Sequence, residues 1–301
     1  MKVYLNDTIS KNAYERLAGK VEIVTDFNHP EELDAIIVRQ QYCRRDVISR
    51  ACRCKLIQQH GTGLDRIDLV AAKEFGIPVC NTPGINAQSV AEYTIMLMLT
   101  LSRKAGEIDR KVHTGEITSF GMPETIGTEM KGKRLGLVGN GNVARIVASI
   151  AGNGFQMEVV CYSRHHNMHE QNNDCFAYVN TLEELFATCD YVSMHNLLND
   201  ETYHMVNEEL LDHAKQGMIF INTARGGLVD EKALYEALIA GKIKAAGLDV
   251  FEKEPPETTN PLLSLENVIC GMHVGGSTFE AMERNGKAVV DNVFRHLGIQ
   301  D

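Results

Sequence analysis

The sequence predicts an α/β protein made of two doubly wound parallel-sheet domains, one of them discontinuous along the chain. Three observations carry this. Short runs rich in Val and Ile alternate with longer stretches of helical period, in two successive series. A glycine-rich turn joins the first strand-like run of the second series to an amphipathic stretch. The 301 residues also exceed what a single hydrophobic core usually organises, roughly 250 residues.

The first series runs through Val3 to Asn6, Val21 to Thr25, Ala35 to Arg39, Leu56 to Gln59 and Pro78 to Cys80. Short apolar runs separated by helical stretches suit a parallel sheet, whose crossovers bury both of its faces. A long stretch from Asn86 to about Gly115 follows, opened by Ser89 and Glu92 and filled by Ile95, Met96, Leu97, Met98, Leu99 and Leu101. Because it is apolar nearly all round, it is expected as a helix buried between domains or subunits. The second series comprises Leu135 to Val138, Glu158 to Tyr162, Tyr191 to Met194, Met218 to Asn222, Ala245 to Val250 and Val268 to Cys270. Strands in this number suit a nucleotide-binding sheet. A last helical stretch, Ser277 to about Leu297, is long enough to return to the first unit. The expected division is therefore 1–98 with 280–301 as a flavodoxin-like substrate domain, and 99–279 as a dinucleotide-binding Rossmann domain.

Composition narrows the partners. A net charge of −10 argues against nucleic acid or an anionic membrane, since both reward clustered Lys and Arg. The N-terminal Met1-Lys2-Val3-Tyr4-Leu5-Asn6-Asp7 turns polar too early for a signal peptide, and no run of about 18 apolar residues could span a bilayer. A cytoplasmic protein is expected. Of the eight cysteines only Cys43, Cys52 and Cys54 cluster, without a second pair, so reduced thiols are expected and no metal.

The segment Leu135-Gly136-Leu137-Val138-Gly139-Asn140-Gly141-Asn142-Val143-Ala144 places G-x-G-x-x-A between a strand and a helix. Gly139 allows the tight turn, Gly141 lets the backbone approach a pyrophosphate, and Ala144 lets the helix pack closely on the strand. The amides opening the helix at Asn142 and Val143 would hold the phosphates. Such a triplet is weak alone and strong in this setting. The next strand runs into Ser163-Arg164-His165-His166, without the carboxylate that grips the ribose of NAD. Ser163 and Arg164 suit a 2′-phosphate instead, which favours NADP(H) and leaves NAD(H) open.

Three charged groups stand just beyond late strands of the same series, where ligands bind in open α/β sheets. Met218 to Asn222 leads into Thr223-Ala224-Arg225, Gly247 to Phe251 into Glu252-Lys253-Glu254, and Val268 to Met272 into His273-Val274-Gly275. Arg225 presents a fork for a carboxylate and its neighbouring carbonyl. His273 can give or take the proton of the alcohol near neutral pH. Glu254, hydrogen-bonded to His273, would fix the ring and favour the imidazolium. Taken singly each is an ordinary surface residue; together, downstream of a dinucleotide motif, they read as a catalytic set.

These residues resemble the D-isomer-specific 2-hydroxyacid dehydrogenases, over nearly the whole chain. The resemblance is carried by His60-Gly61-Thr62-Gly63-Leu64-Asp65, Asn81-Thr82-Pro83-Gly84, Val90-Ala91-Glu92, the glycine motif and the three segments above. It implies hydride transfer between NAD(P)H and a small 2-oxo or 2-hydroxy acid, with Arg225, Glu254 and His273 as the active site and Asp249 holding the nicotinamide carboxamide. It also implies that amides around Thr62 and Gly63 take the substrate carboxylate, as a glycine-rich nest would. The cofactor set expected is Gly139, Gly141, Asn142, Val143, Ser163, Arg164, His195, Asn196, Thr223, Ala224, Asp249 and Gly275. Family members are usually homodimers, which makes the helix after Asn86 and the segment from Ser119 to Met130 candidate subunit contacts. One departure is His195-Asn196-Leu197-Leu198-Asn199, which lacks the Pro and Thr of the usual His-x-Pro-Leu-Thr.

The substrate stays open among phosphoglycerate, glycerate or hydroxypyruvate, and glyoxylate. Arg39 sits at a strand end where phosphoglycerate dehydrogenases carry an Arg near the phosphate, and a loop-bracing role is equally compatible. The regulatory extension of many phosphoglycerate dehydrogenases is not expected here, which favours neither side. A formate dehydrogenase reaction wants no proton-donating His and loses to His273. A corepressor-like module that binds a dinucleotide, interacts with proteins and turns over little is the alternative from another class.

Overall fold

The computed structural model describes residues 1–119, 121–164 and 175–300. Phe120 and the end of the Ser163 to His166 run, His165 and His166, fall outside the described residues. The chain divides into two compact units, Met1–Asn86 with Ser277–Asp301, and Ala87–Gly276.

In the first unit the elements follow as β1 (Lys2–Tyr4), α1 (Lys11–Ala18), β2 (Glu22–Val24), β3 (Ala35–Val38), α2 (Arg45–Ile48), β4 (Ile57–Gln59), α3 (Leu69–Glu74) and β5 (Val79–Cys80). Among the described residues they form a five-stranded sheet in the order β2-β1-β3-β4-β5, with every pairing parallel. Both faces are apolar because alternate residues of one strand enter different cores. Ala35 and Ile37 pack with Leu17, Val289 and Val293, whereas Ile36 and Val38 pack with Ile48, Ala71 and Ala72. All five expected strands are present, with ends shifted by a residue or two.

The second unit opens with α4 (Ala87–Ser102) and α5 (Ala105–His113). The expected single helix from Asn86 to about Gly115 is thus two. Lys104 takes a left-handed conformation, φ 52°, at the break. The apolar run that justified one buried helix ends at Leu101, and α5, rich in charge, buries none of its residues. Helix α4 packs on the second sheet and belongs whole to this unit, whereas the division expected at 98/99 runs through it.

There follow β6 (Arg134–Val138), α6 (Asn142–Ser149), β7 (Glu158–Tyr162), β8 (Ala177–Tyr178), α7 (Leu182–Thr188), β9 (Tyr191–Met194), α8 (Glu208–Asp212), β10 (Met218–Asn222), α9 (Glu231–Ile239), β11 (Ile243–Leu248) and β12 (Val268–Cys270). Among the described residues their sheet is seven-stranded and parallel, ordered β12-β11-β10-β9-β6-β7-β8. The order reverses at β6, the strand that feeds the glycine turn, which is the switch point of a doubly wound sheet. Met218 and Phe220 face one core, Ile219 and Ile221 the other. The two-residue β8 was not expected from the sequence. Finally α10 (Phe279–Leu297) returns to the first unit, where it packs on α1 through Val289, Val293 and an Arg16–Asp291 ion pair at 2.6 Å.

Both units are α/β, as the sequence predicts. No helix among the described residues is long and apolar enough to cross a membrane, and none of their His, Cys, Asp and Glu side chains group as a metal site. Cys43 and Cys54 are buried thiols pushed up to about 12 and about 11 by desolvation, and Cys52 is exposed.

Candidate active site

The dinucleotide motif has the geometry that its glycines suggest. Gly139 ends β6 with φ 102°, and a Cβ there would meet the backbone of His195 and Asn196 at 3.0 Å. Gly141 caps α6 without a side-chain acceptor for the first helical amides, and a Cβ at Gly141 would meet nothing within 4 Å. Ala144 is fully buried among the core side chains under α6. Open space over uncapped helix amides is an anion cradle.

Two buried polar atoms beside this turn lack partners among the described residues: His195 Nε2 and Asn196 Oδ1. The His195 amide donates to the Val138 carbonyl at 2.8 Å, and burial holds its imidazole down to about 3, hence neutral. Unsatisfied groups of this kind mark places that a polar ligand completes. The residues present therefore fit a dinucleotide. Ser163 and Arg164 stand just past β7, with Arg164 paired to Glu201.

Beyond β10 the chain turns sharply, and a buried asparagine shapes the turn. Asn222 Oδ1 accepts from the Ala224 amide at 3.1 Å, and Asn222 Nδ2 donates to the Arg225 carbonyl at 2.9 Å. Thr223 shares a 3.0 Å hydroxyl contact with Thr94 of α4. Gly226 is obligatory, since a Cβ there would lie 1.9 to 2.4 Å from the backbone of Phe251 and Glu252. That close approach brings the Arg225 turn against the segment leading to Glu254. Arg225 Nη1 donates to the Ala224 carbonyl at 2.6 Å.

Glu254 and His273 come together. His273 Nδ1 lies 2.9 Å from Glu254 Oε2 and 3.1 Å from Oε1, which leaves Nε2 as the ring nitrogen for other work. His273 is left-handed, φ 57°, a conformation costly for a residue with a Cβ. It is held by Asp249. The Asp249 carbonyl accepts from the His273 amide at 2.7 Å, and its carboxylate accepts from the amides of Val274 at 2.9 Å and Gly275 at 2.8 Å. Asp249 is 2% exposed, and burial pushes its carboxyl up while the two amides pull it down. The sequence singled out Asp249 for a cofactor contact; its clamp on the His273 turn could not be read there.

In the first unit, the Thr62–Gly63 loop leaves β4 after buried His60. The Gly61 amide donates to Thr82 Oγ1 at 3.0 Å, Asn81 Nδ2 donates to the Thr62 carbonyl at 2.7 Å, and Thr82 Oγ1 donates to Asn285 Oδ1 at 2.7 Å. Thr82 and Asn285 are 2% and 5% exposed, so this chain is an internal brace. Arg39 Nη1 donates to the Thr8 carbonyl at 2.5 Å, a contact that braces the loop at Thr8.

Sequence reasoning missed Asn222, Thr94, Asn285 and Glu201. Asn222 carried a signal, an Asn closing an apolar strand where turn-capping is common. The other three act through partners distant in sequence and carried none.

Comparison with known proteins matches residues 95–275 to the D-isomer specific 2-hydroxyacid dehydrogenase, NAD binding domain. The chain is 39% identical to a hydroxypyruvate reductase of Thermotoga maritima, over 99% of each protein. It is 37% identical to a D-3-phosphoglycerate dehydrogenase of Methanocaldococcus jannaschii, covering 99% of this chain and 57% of that one. A D-lactate dehydrogenase from Aquifex aeolicus, solved with NAD and lactic acid, superposes with a TM-score of 0.87 at 28% identity, over 99% of this chain and 96% of that one. The chain belongs to the D-isomer specific 2-hydroxyacid dehydrogenase family and is a nicotinamide-dinucleotide-dependent oxidoreductase of that class.

Proposed function

We propose that the protein reduces a small unphosphorylated 2-oxo acid, of the hydroxypyruvate or glyoxylate type, to the corresponding 2-hydroxy acid, the D isomer where the product is chiral, with NADPH favoured over NADH. The observation that carries the chemistry is the His273–Glu254 contact on a turn clamped by Asp249. The bound dinucleotide supplies a hydride to the carbonyl carbon. Arg225 is assigned the carboxylate and the carbonyl oxygen, where a guanidinium fork both orients the acid and steadies the charge that develops. His273 Nε2 gives the proton that converts the oxygen to a hydroxyl, and Glu254 balances the imidazolium and fixes the ring. The amides around Thr62 and Gly63 are assigned a share of the carboxylate. Gly139, Gly141, Asn142 and Val143 are assigned the pyrophosphate, and His195, Asn196, Thr223, Ala224, Asp249 and Gly275 the rest of the dinucleotide.

One feature supports a substrate without phosphate: the bond from Arg39 to the Thr8 carbonyl supports a bracing role for that cation. Ser163 and Arg164 support NADPH. We further propose a cytoplasmic homodimer joined through α4 and residues 119–130, where Met96 and Ile126 are exposed. Phe120 of that segment lies outside the described residues.

The test is a panel of hydroxypyruvate, glyoxylate, pyruvate and 3-phosphohydroxypyruvate, assayed with NADPH and with NADH. Arg225→Ala and His273→Ala serve as controls. Turnover of the unphosphorylated acids that both variants abolish is expected. Preference for the phosphorylated acid would reject the substrate assignment. No turnover on any acid with either cofactor would reject the catalytic one.

A further inference from the structure

The cation on which cofactor choice turns is already engaged. Arg164 Nη1 lies 2.5 Å from Glu201 Oε2. The two residues are 37 positions apart and come from the ends of different strands. Arg164 follows β7 and Glu201 stands in the loop after β9, and both strands pair with β6, whose end carries the glycine turn. The two loops therefore open on either side of the dinucleotide motif.

The ion pair alone does not place Glu201. Asn199 Oδ1 accepts from the amides of Glu201 and Thr202, each at 3.1 Å. The Thr202 hydroxyl donates to the Leu197 carbonyl at 2.8 Å, and the Asn199 amide donates to that hydroxyl oxygen at 2.8 Å. Thr202 is 1% exposed, so the turn presenting Glu201 is fastened to the interior. The backbone under Glu201 is fixed whether or not Arg164 moves.

Residues at the end of the second strand of such a sheet meet the adenosine ribose. A carboxylate there favours the free 2′-hydroxyl of NAD and repels a 2′-phosphate, and a guanidinium does the reverse. This chain brings one of each to that place, from two different strands. Paired, they are neutral together, and a 2′-phosphate has to share the guanidinium with a carboxylate. We propose that Glu201 is a specificity-determining residue for the cofactor: by holding Arg164 it weakens binding of the phosphorylated dinucleotide and so narrows the preference for it over the unphosphorylated one. The proposal rests on the reading that Arg164 receives a 2′-phosphate.

The Glu201 side chain is 75% exposed and that of Arg164 34% exposed, so solvent limits the effect. A shift of roughly 3- to 10-fold in relative affinity is expected, shrinking as salt rises from about 0.05 to about 0.5 M. The test is calorimetric titration of NADPH and NADH into the wild type, Glu201→Gln, Arg164→Ala and the double variant. Glu201→Gln is expected to lower the Kd of NADPH by that factor and leave that of NADH within about twofold. The gain should vanish in the double variant. If Glu201→Gln leaves the ratio of the two Kd values unchanged while Arg164→Ala still weakens NADPH selectively, the role of Glu201 is rejected and that of Arg164 stands. If Arg164→Ala affects both cofactors equally, the 2′-phosphate reading falls and the proposal with it.

Discussion

The main-chain amide of His273 donates to the main-chain carbonyl of Asp249 at 2.7 Å, while the Asp249 carboxylate accepts the next two amides, Val274 and Gly275. One buried residue thus holds the whole turn on which His273 adopts its left-handed conformation. The proton donor of the proposed reaction is set by a neighbouring strand end rather than by its own.

Asp249→Asn keeps the size of this clamp and spoils its chemistry. An amide offers one acceptor oxygen where the carboxylate offers two, and turns its NH2 toward a main-chain N–H. Leaving one buried amide unpaired costs about 1–3 kcal/mol of stability. Loosening the His273 turn should lower kcat by about 10²-fold, the scale of a misplacement near 1 Å. Urea unfolding and steady-state kinetics on the same preparation check both, and a wild-type kcat would detach the clamp from the chemistry.

Two glycines should separate folding from binding. Gly226→Ala drives a methyl into the backbone of Phe251 and Glu252 and is expected to destabilise the chain by more than about 3 kcal/mol, read by urea unfolding. Gly141→Ala meets only open space and has an ordinary φ of −71°, so its melting temperature should stay that of the wild type. Its methyl intrudes where the pyrophosphate approaches, and NADPH should bind about tenfold more weakly by calorimetry. Unchanged binding in Gly141→Ala would move the pyrophosphate away from this turn.

The Thr82–Asn285 brace predicts an effect on one ligand only. Asn285→Leu removes the acceptor of the Thr82 hydroxyl and loosens the Thr62–Gly63 loop, while the dinucleotide motif belongs to the other unit. The KM for the oxo acid should rise about tenfold, equivalent to roughly one buried hydrogen bond, with the Kd of NADPH unchanged. Asn285→Asp, which keeps an acceptor, should recover most of the loss. Parallel losses for both ligands would indicate general unfolding instead.

Two buried imidazoles set the acid side of stability. Burial, reinforced by the Arg39 charge, holds His60 down to about 4, and burial holds His195 down to about 3. In the unfolded chain both titrate near 6.5. Between the folded and unfolded values the unfolded chain binds more protons, so stability rises with pH across that window. Their contribution is complete above about 6.5 and is lost as pH falls from there toward about 4 and below. The urea midpoint should be lower at pH 5 than at pH 7, and His195→Gln should reduce the difference. A midpoint independent of pH over this range would contradict the buried, neutral state.

The alternation of short apolar runs with helical stretches sufficed for two α/β units and nearly every strand, because a strand buried on both faces is a local composition of Val, Ile and Leu. The glycine turn was equally legible, since strand, glycines and helix are consecutive. So were the positions of Arg225, Glu254 and His273, each just past a strand, because chain order alone puts strand ends of a parallel sheet on one edge. The break at Lys104 was missed because an apolar run says nothing about the charged turn that follows it. The clamp of Asp249 on the His273 turn, the Thr82–Asn285 brace and the hold of Glu201 on Arg164 join residues as far as 203 positions apart. Only the folded chain decides such pairs, because hydrogen bonds and ion pairs depend on distances of a few ångströms that no local pattern encodes.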